Sequence, residues 1–285
     1  MLQLLGKRIN VFLLVAASLC SYGQDYHWTQ SNILRAMLNP AESGLDSNID
    51  ISAVYRNQWS SLIAPFQTSA INVNTSFNNF GVGLTVIDDR AGSAGWHRTN
   101  VQAIASYQIK LNNTIIRAGI GLGMDQKAFD NTNTIFPDQI GPDLTISSGG
   151  EQLNTSFATI DNSLGLYLIQ PILNTNLHFS VTNNHLLQSN DQSFIGTTGS
   201  EGDMLSIFAT VPLEISDKVK IKPYTGYQYQ NAINLLLLGT TAHYSVKGNE
   251  LYGGLGYRLG DAANAQFGVV YGNLWIYNER AKKKK

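Results

Sequence analysis

The chain has 285 residues, with 19 Lys+Arg against 20 Asp+Glu, a net charge of −1 and only 14% charged residues, where a typical soluble domain has about 25%. The balance excludes a basic nucleic-acid-binding field and an acidic tail. The single cysteine, Cys20, excludes a disulfide scaffold and a cysteine-ligated metal, and beyond the first residues the longest aliphatic run, Leu235–Leu238, is far below the roughly 18 apolar residues of a membrane helix.

Lys7 and Arg8 precede an apolar run, Val11–Leu19, and the small residues Ser21 and Gly23 stand before Gln24. That pattern predicts a cleaved signal peptide over 1–23, because the apolar run is too short to span a bilayer. A lipoprotein reading through Cys20 fails on Leu19, which is too large for the position before a lipidated cysteine.

From residue 48 onward, apolar residues recur at every second position in segments of about ten residues. Ile49, Ile51, Ala53 and Tyr55 alternate with Asp50, Ser52, Val54 and Arg56; Ile116, Ala118, Ile120, Leu122 and Met124 alternate with Arg117, Gly119, Gly121, Gly123 and Asp125. Alternation and turn residues predict about twelve strands, near 48–57, 66–77, 80–88, 98–109, 114–126, 155–169, 175–183, 204–215, 219–229, 232–246, 250–258 and 264–272. A secreted β-sandwich is the competing fold, and its solvent face would carry Lys, Glu and Thr. Here the second face often carries Gly, Ser and Thr, with isolated charges, which suits the crowded interior of a barrel whose apolar face meets lipid. The predicted class is all-β, a transmembrane antiparallel β-barrel.

Tight connections at 78–79, 111–113, 170–174, 216–218 and 247–249 alternate with longer ones at 58–65, 89–97, 127–154 and 184–203. Outer-membrane barrels have short periplasmic turns and long external loops, so the long set is expected outside; the short connections near 230–231 and 259–263 depart from this pattern. The expected organisation is a signal peptide (1–23), a periplasmic N-terminal segment (24–47), a barrel (48–277) and an atypical Lys-rich tail (278–285). A lysine run makes a poor closing strand, because an open edge in lipid leaves backbone groups unpaired. The C-terminus is therefore expected to be truncated.

Several local patterns occur in order: Gln24-Asp25-Tyr26-His27-Trp28-Thr29-Gln30; Leu38-Asn39-Pro40-Ala41-Glu42-Ser43-Gly44; Tyr55-Arg56-Asn57-Gln58-Trp59 with Pro65; Asp88-Asp89-Arg90-Ala91-Gly92; and Gly256-Tyr257-Arg258-Leu259-Gly260-Asp261-Ala262. Together they resemble the PorP/SprF family of type IX secretion and gliding-motility membrane proteins, over nearly the whole chain after the leader. The second and third patterns are the specific ones; glycine-rich strands are common to barrels. The resemblance implies an outer-membrane component of the secretion or gliding machinery, some members being linked to export or surface attachment of large adhesins. It also implies further strands, about fourteen in a complete member, an even number as in other such barrels.

The family offers no catalytic motif, so its patterned positions receive structural roles. Asn39-Pro40 is expected to be a rigid turn at the entry to the first strand, since Pro fixes its own φ and restricts the residue before it. Tyr55, Arg56, Asn57, Gln58 and Trp59 are expected at the outer interface, with Trp59 as a girdle anchor and Arg56 paired to an interior carboxylate. Asp88 and Asp89 follow a glycine-rich strand, and Arg258 with Asp261 reads as a pair near the rim.

No cofactor is expected. His27, His97, His178, His185 and His243 form no zinc-binding spacing. An outer-membrane lipase would need a Ser and a His together on the outer face of the barrel; His178 and His243 lie on strands, but no G-x-S-x-G elbow is present. Loop 127–154 carries Phe129, Phe136, Pro137, Asp138, Pro142 and Asp143 without a calcium-loop pattern. Loops of this length are usually functional, so Phe129, Phe136, Asp138, Asp143 and His185 are candidates for partner contact. The function expected is non-enzymatic: periplasmic machinery bound on one side, exported cargo such as an adhesin on the other, and outer-membrane lipid around the wall. A passive channel or transporter of hydrophobic compounds is the alternative, and a lipase the second.

Overall fold

The structure, a computed structural model, describes residues 35–45, 49–59, 65–91, 95–129, 139–141, 143, 145–146, 156–187, 191–192, 198–199, 202–271 and 274–283. The expected signal peptide, Gln24–Gln30, Phe136 and Asp138 lie outside the described residues.

Fourteen strands form one antiparallel sheet. They are β1 (Asp50–Gln58), β2 (Phe66–Phe77), β3 (Phe80–Ala91), β4 (Trp96–Leu111), β5 (Thr114–Phe129), β6 (Ser156–Ile172), β7 (Thr175–Asn184), β8 (Met204–Thr210), β9 (Leu213–Ser216), β10 (Val219–Gln230), β11 (Ile233–Val246), β12 (Asn249–Arg258), β13 (Ala262–Tyr271) and β14 (Leu274–Lys283). Each pairs with its chain neighbours, except that β8 and β9 share one lane beside β10. A two-residue hairpin, Asp191–Gln192 with Thr198–Gly199, stands apart from the sheet. Among the described residues β1 and β14, which run in the same direction, are not paired with each other.

Two differences from the expected strands have local causes. The single strand expected over 204–215 is split, because Pro212 has no N–H for the ladder; the Val211 N–H still reaches the Pro223 carbonyl at 3.2 Å. The tail expected at 278–285 is a strand through Lys283, in register with β13 from Tyr271↔Leu274 to Ala262↔Lys283. Pairing depends on backbone hydrogen bonds, which lysine supplies like any residue other than proline.

The turns at 78–79, 112–113, 173–174, 217–218 and 247–248 are two residues long. Asn78 and Asn112 take positive φ at 54° each, a conformation Asn tolerates and tight hairpins require. The connection expected over 170–174 is shorter, since Gln170–Ile172 belong to β6. At the other end β4, β5 and β6 have 16, 16 and 17 residues, well beyond the about 9–11 that cross a bilayer. Residues 89–91, 96–97 and 127–129, expected in loops, are thus projecting strand.

The sheet is inverted relative to a soluble protein. On its inner face Asn72 and Asp125 are 0% and 1% exposed, while on its outer face Leu122 and Leu255 are 52% and 67% exposed. Exposed aromatics lie toward both ends of the outer face: Phe77, Phe80, Tyr107, Tyr244, Tyr271 and Trp275 toward the short turns, and Tyr55, Trp59, Tyr229 and Tyr257 toward the long loops. An apolar band between aromatic girdles is what a membrane-spanning sheet presents to lipid.

Candidate functional site: a filled interior and a polar rim

The Leu38–Gly44 motif fills the inner face near the short turns. A single helical turn, α1 (Arg35–Leu38), leads through Asn39 into a 3-10 turn, Pro40–Glu42. Asn39 is extended, at φ −136° and ψ 114°, as a residue before proline must be, and its Oδ1 caps the turn by accepting from the Ala41 N–H at 2.9 Å. Its Nδ2 donates to the Leu166 carbonyl at 3.0 Å and to Ser180 Oγ at 2.7 Å. Ser180 Oγ donates to Glu42 Oε1 at 3.0 Å, and Asn74 Oδ1 accepts from the Gly44 N–H at 2.8 Å. Leu38 and Met37 pack on Val54, Ala70 and Ile87.

Arg117 is the main clamp on this plug. Its Nε donates to the Ala41 carbonyl at 2.8 Å; its Nη2 donates to the Ser43 carbonyl at 2.5 Å and to Ser106 Oγ at 2.9 Å. Glycines on the wall leave room for the plug backbone. A Cβ on Gly81 would stand 2.0 Å from the Ser43 oxygen, one on Gly119 2.3 Å from the Ala41 nitrogen, and one on Gly165 1.8 Å from Asn39 Oδ1. The glycine-rich strands therefore follow the path of a second segment of the same chain. Asn39-Pro40, expected as a rigid turn at the entry to the first strand, opens a 3-10 turn that packs on the inner face. The described part of the N-terminal segment, expected to be periplasmic, lies against the wall. An extended Asn and the backbone carbonyls of Ala41 and Ser43 find there the partners that water would otherwise supply.

A second polar layer lines the inner face at the long-loop end. Register aligns Arg56 with Thr68, Thr68 with Asp89, Asp89 with Arg98, and Arg98 with Lys127. Thr68 Oγ1 donates to Asp89 Oδ1 at 2.6 Å. Arg98 Nε reaches both oxygens of Asp125, at 2.8 and 3.0 Å, and Lys127 Nζ stands 3.6 Å from the same carboxylate. Asn100 Nδ2 donates to Asp161 Oδ2 at 2.5 Å, and His185 Nδ1 lies 2.6 Å from Asp161 Oδ1. Buried charges of both signs are thereby hydrogen-bonded, the condition under which burial is tolerated.

The motif Tyr55–Trp59 splits between the two faces. Tyr55 and Asn57 point outward and exposed; Arg56 and Gln58 turn inward and are half-buried. Trp59, at φ 57°, ends the strand and packs edge-on against Phe66 at 5.0 Å. Asp88 faces outward and binds Arg90, His97 and Thr99. Arg258 Nη2 and Asp261 pair at 2.8 Å.

Three of the candidate partner-contact residues, Phe129, Asp143 and His185, are among the described residues. Phe129 ends β5 opposite Trp96. Asp143 sits in a small turn between Ile140 and Ile146, exposed, and the Thr145 hydroxyl donating to it at 2.7 Å holds its carboxyl below the usual carboxylate range. His185 is not a solvated loop side chain, because it is tied to Asp161 and its N–H donates to the Asn162 carbonyl at 2.8 Å. The two strand histidines considered for a lipase face inward. His178 bonds the Tyr167 hydroxyl at 2.6 Å, and His243 bonds Glu250 with Thr241 Oγ1 at 3.1 Å.

Arg117, Glu42, Arg98, Asp125, Lys127 and Asp161 carry much of this interior and were not among the expected site residues. A charge on the small-residue phase of a strand was the available signal, as at Arg117 between Ile116 and Ala118. Their partners lie on other strands or in the N-terminal motif, and only the register reveals them.

No curated protein matches the chain. Among solved structures, a KdgM porin in complex with disordered oligogalacturonate aligns at 11% identity and a TM-score of 0.40, over 74% of this chain and 92% of that one. The family model for the type IX secretion system membrane protein PorP/SprF matches residues 21–277. The chain thus belongs to the PorP/SprF family of type IX secretion system membrane proteins.

Proposed function

We propose that this protein is a non-enzymatic outer-membrane barrel of type IX secretion and gliding motility that acts by binding other proteins. Its short turns would face the periplasm and the secretion or gliding machinery. Its long loops, with the projecting ends of β4, β5 and β6, would face outward toward exported cargo such as adhesins.

The observation that carries this reading is the filled interior. Asn39, Ala41, Glu42 and Ser43 are buried and hydrogen-bonded to the wall, so the inner face of β2 to β7 near the short turns is covered by the chain itself. That weighs against a passive channel. The inward, engaged His178 and His243 weigh against a lipase site on the outer face. What remains for partners is the two ends.

Affinity purification from outer membranes tests the proposal. Secretion or gliding components should co-purify, and deleting the gene should block secretion or adhesin display. Purification without any such component, or unchanged secretion in the deletion strain, would count against it.

A further inference from the structure

The outer apolar band on β3 and β4 ends at the cross-strand pair Val86↔Val101. The next outward pairs toward the long loops are Asp88↔Thr99 and Arg90↔His97. Two residues of strand advance about 6.6 Å, so these four side chains stand just past the apolar band. At that depth a spanning strand leaves the hydrocarbon and meets lipid headgroups. The exposed Tyr55 lies in the same row, aligned through Ser69 with Asp88, as an interfacial aromatic would.

One carboxylate organises the cluster. Arg90 Nε donates to Asp88 Oδ2 at 3.0 Å, His97 Nε2 is hydrogen-bonded to Asp88 Oδ1, and Thr99 Oγ1 donates to Oδ1 at 3.4 Å. The Arg90 side chain is 66% exposed. Its Nη groups make no hydrogen bond among the described residues. An exposed ion pair alone contributes little to stability. Here it fixes a guanidinium whose remaining N–H donors stay available, beside an imidazole held by the same carboxylate. A planar fork of donors suits a phosphate.

We propose that Arg90 and His97, held in position by Asp88, bind the phosphate of a lipid headgroup in the leaflet on the long-loop side. Arg90 and His97 would be the binding residues and Asp88 a positioning residue. The inference rests on the sheet spanning a membrane and is independent of which proteins it binds, so its failure leaves the partner-binding proposal untouched.

The test uses the full chain in a neutral maltoside detergent, with its unfolding midpoint followed as short-chain phosphatidylglycerol is added. Diacylglycerol of the same chain length and inorganic phosphate serve as the two comparison probes. The expected result is a midpoint that rises with phosphatidylglycerol and with neither comparison probe. Apparent affinity should weaken about fivefold to tenfold in an Arg90→Gln/His97→Gln variant, on the scale of lost charge-assisted hydrogen bonds. Arg90→Lys should retain part of the effect. Unfolding midpoints without lipid report whether each variant folds. Asp88→Asn makes the cluster more positive yet should bind more weakly, because the two donors lose their anchor; tighter binding would overturn the positioning role. An equal rise with diacylglycerol, no rise at all, or an undiminished rise in the double variant would overturn the site. A full rise with inorganic phosphate alone would replace the lipid assignment with a free oxyanion site.

Discussion

Arg117 Nε lies 2.8 Å from the carbonyl oxygen of Ala41, 76 residues away in sequence. This contact joins a charged residue on a glycine-rich strand to the backbone of the N-terminal motif. Arg117 is only 3% exposed, and its donors are the main partners of the Ala41 and Ser43 carbonyls. Replacing it with Met should destabilise the folded protein by about 2–4 kcal/mol, since buried hydrogen bonds to a charged group are lost and the Ala41 carbonyl loses its donor, while the Ser43 carbonyl keeps only the Ser106 hydroxyl. The unfolding midpoint should fall, and protease should cut the N-terminal segment sooner. A variant as resistant and as stable as the parent would show that the plug is held by something else.

The wall glycines make a sharper comparison. Gly165→Ala puts a Cβ 1.8 Å from Asn39 Oδ1, whereas Gly253→Ala meets nothing nearer than the Gln266 oxygen at 3.9 Å. The first substitution should cost about 1–3 kcal/mol through overpacking. The second should stay within about 0.5 kcal/mol of the parent, like other surface changes. Denaturant midpoints of the two variants check this. Equal effects would mean that the plug does not press on the wall.

Asp125 holds the cations at the other end of the interior. Asp125→Asn leaves Arg98 and Lys127 buried beside a neutral amide, a loss of about 3–5 kcal/mol when one partner of a buried pair is removed. The doubly substituted Arg98→Met/Asp125→Leu should recover part of that loss, because it removes the Arg98 charge as well as its partner and leaves only the Lys127 charge without the carboxylate. A double-mutant cycle on unfolding free energies measures the coupling. Simple additivity would indicate that the two residues do not interact.

The long-loop end should be the exposed one on cells. Protease added to intact cells should cut within 130–155 and spare the two-residue turn at Lys247–Gly248. Cleavage at the turn with the long loop intact would reverse the proposed orientation.

Much of the sheet was legible because alternation is local. The bounds of β2 at Phe66–Phe77 follow from the phase of Thr68, Ala70, Asn72 and Asn74 interleaved with Ile71 and Val73 and from the Asn78-Asn79 turn. The strand at Leu274–Lys283 was not legible, because its residues pair through backbone with β13 and their charges obscure the pattern. Pro212 carried the information for the split between β8 and β9, but in a strand otherwise alternating it did not stand out. The plug was the least legible element. Nothing local says that Asn39 reaches Ser180, 141 positions on, or that Gly119 is small to admit Ala41. Such contacts are set by the curvature and register of the whole sheet. The rim carboxylates Asp125 and Asp161 were hidden for the same reason.

Single-channel recording in planar bilayers tests most directly whether the chain fills its own interior. The intact protein should insert without a steady open conductance, and an Arg117→Met/Gly165→Val variant that loosens the plug should show openings. A steady open pore in the intact protein would contradict a filled interior and favour a channel.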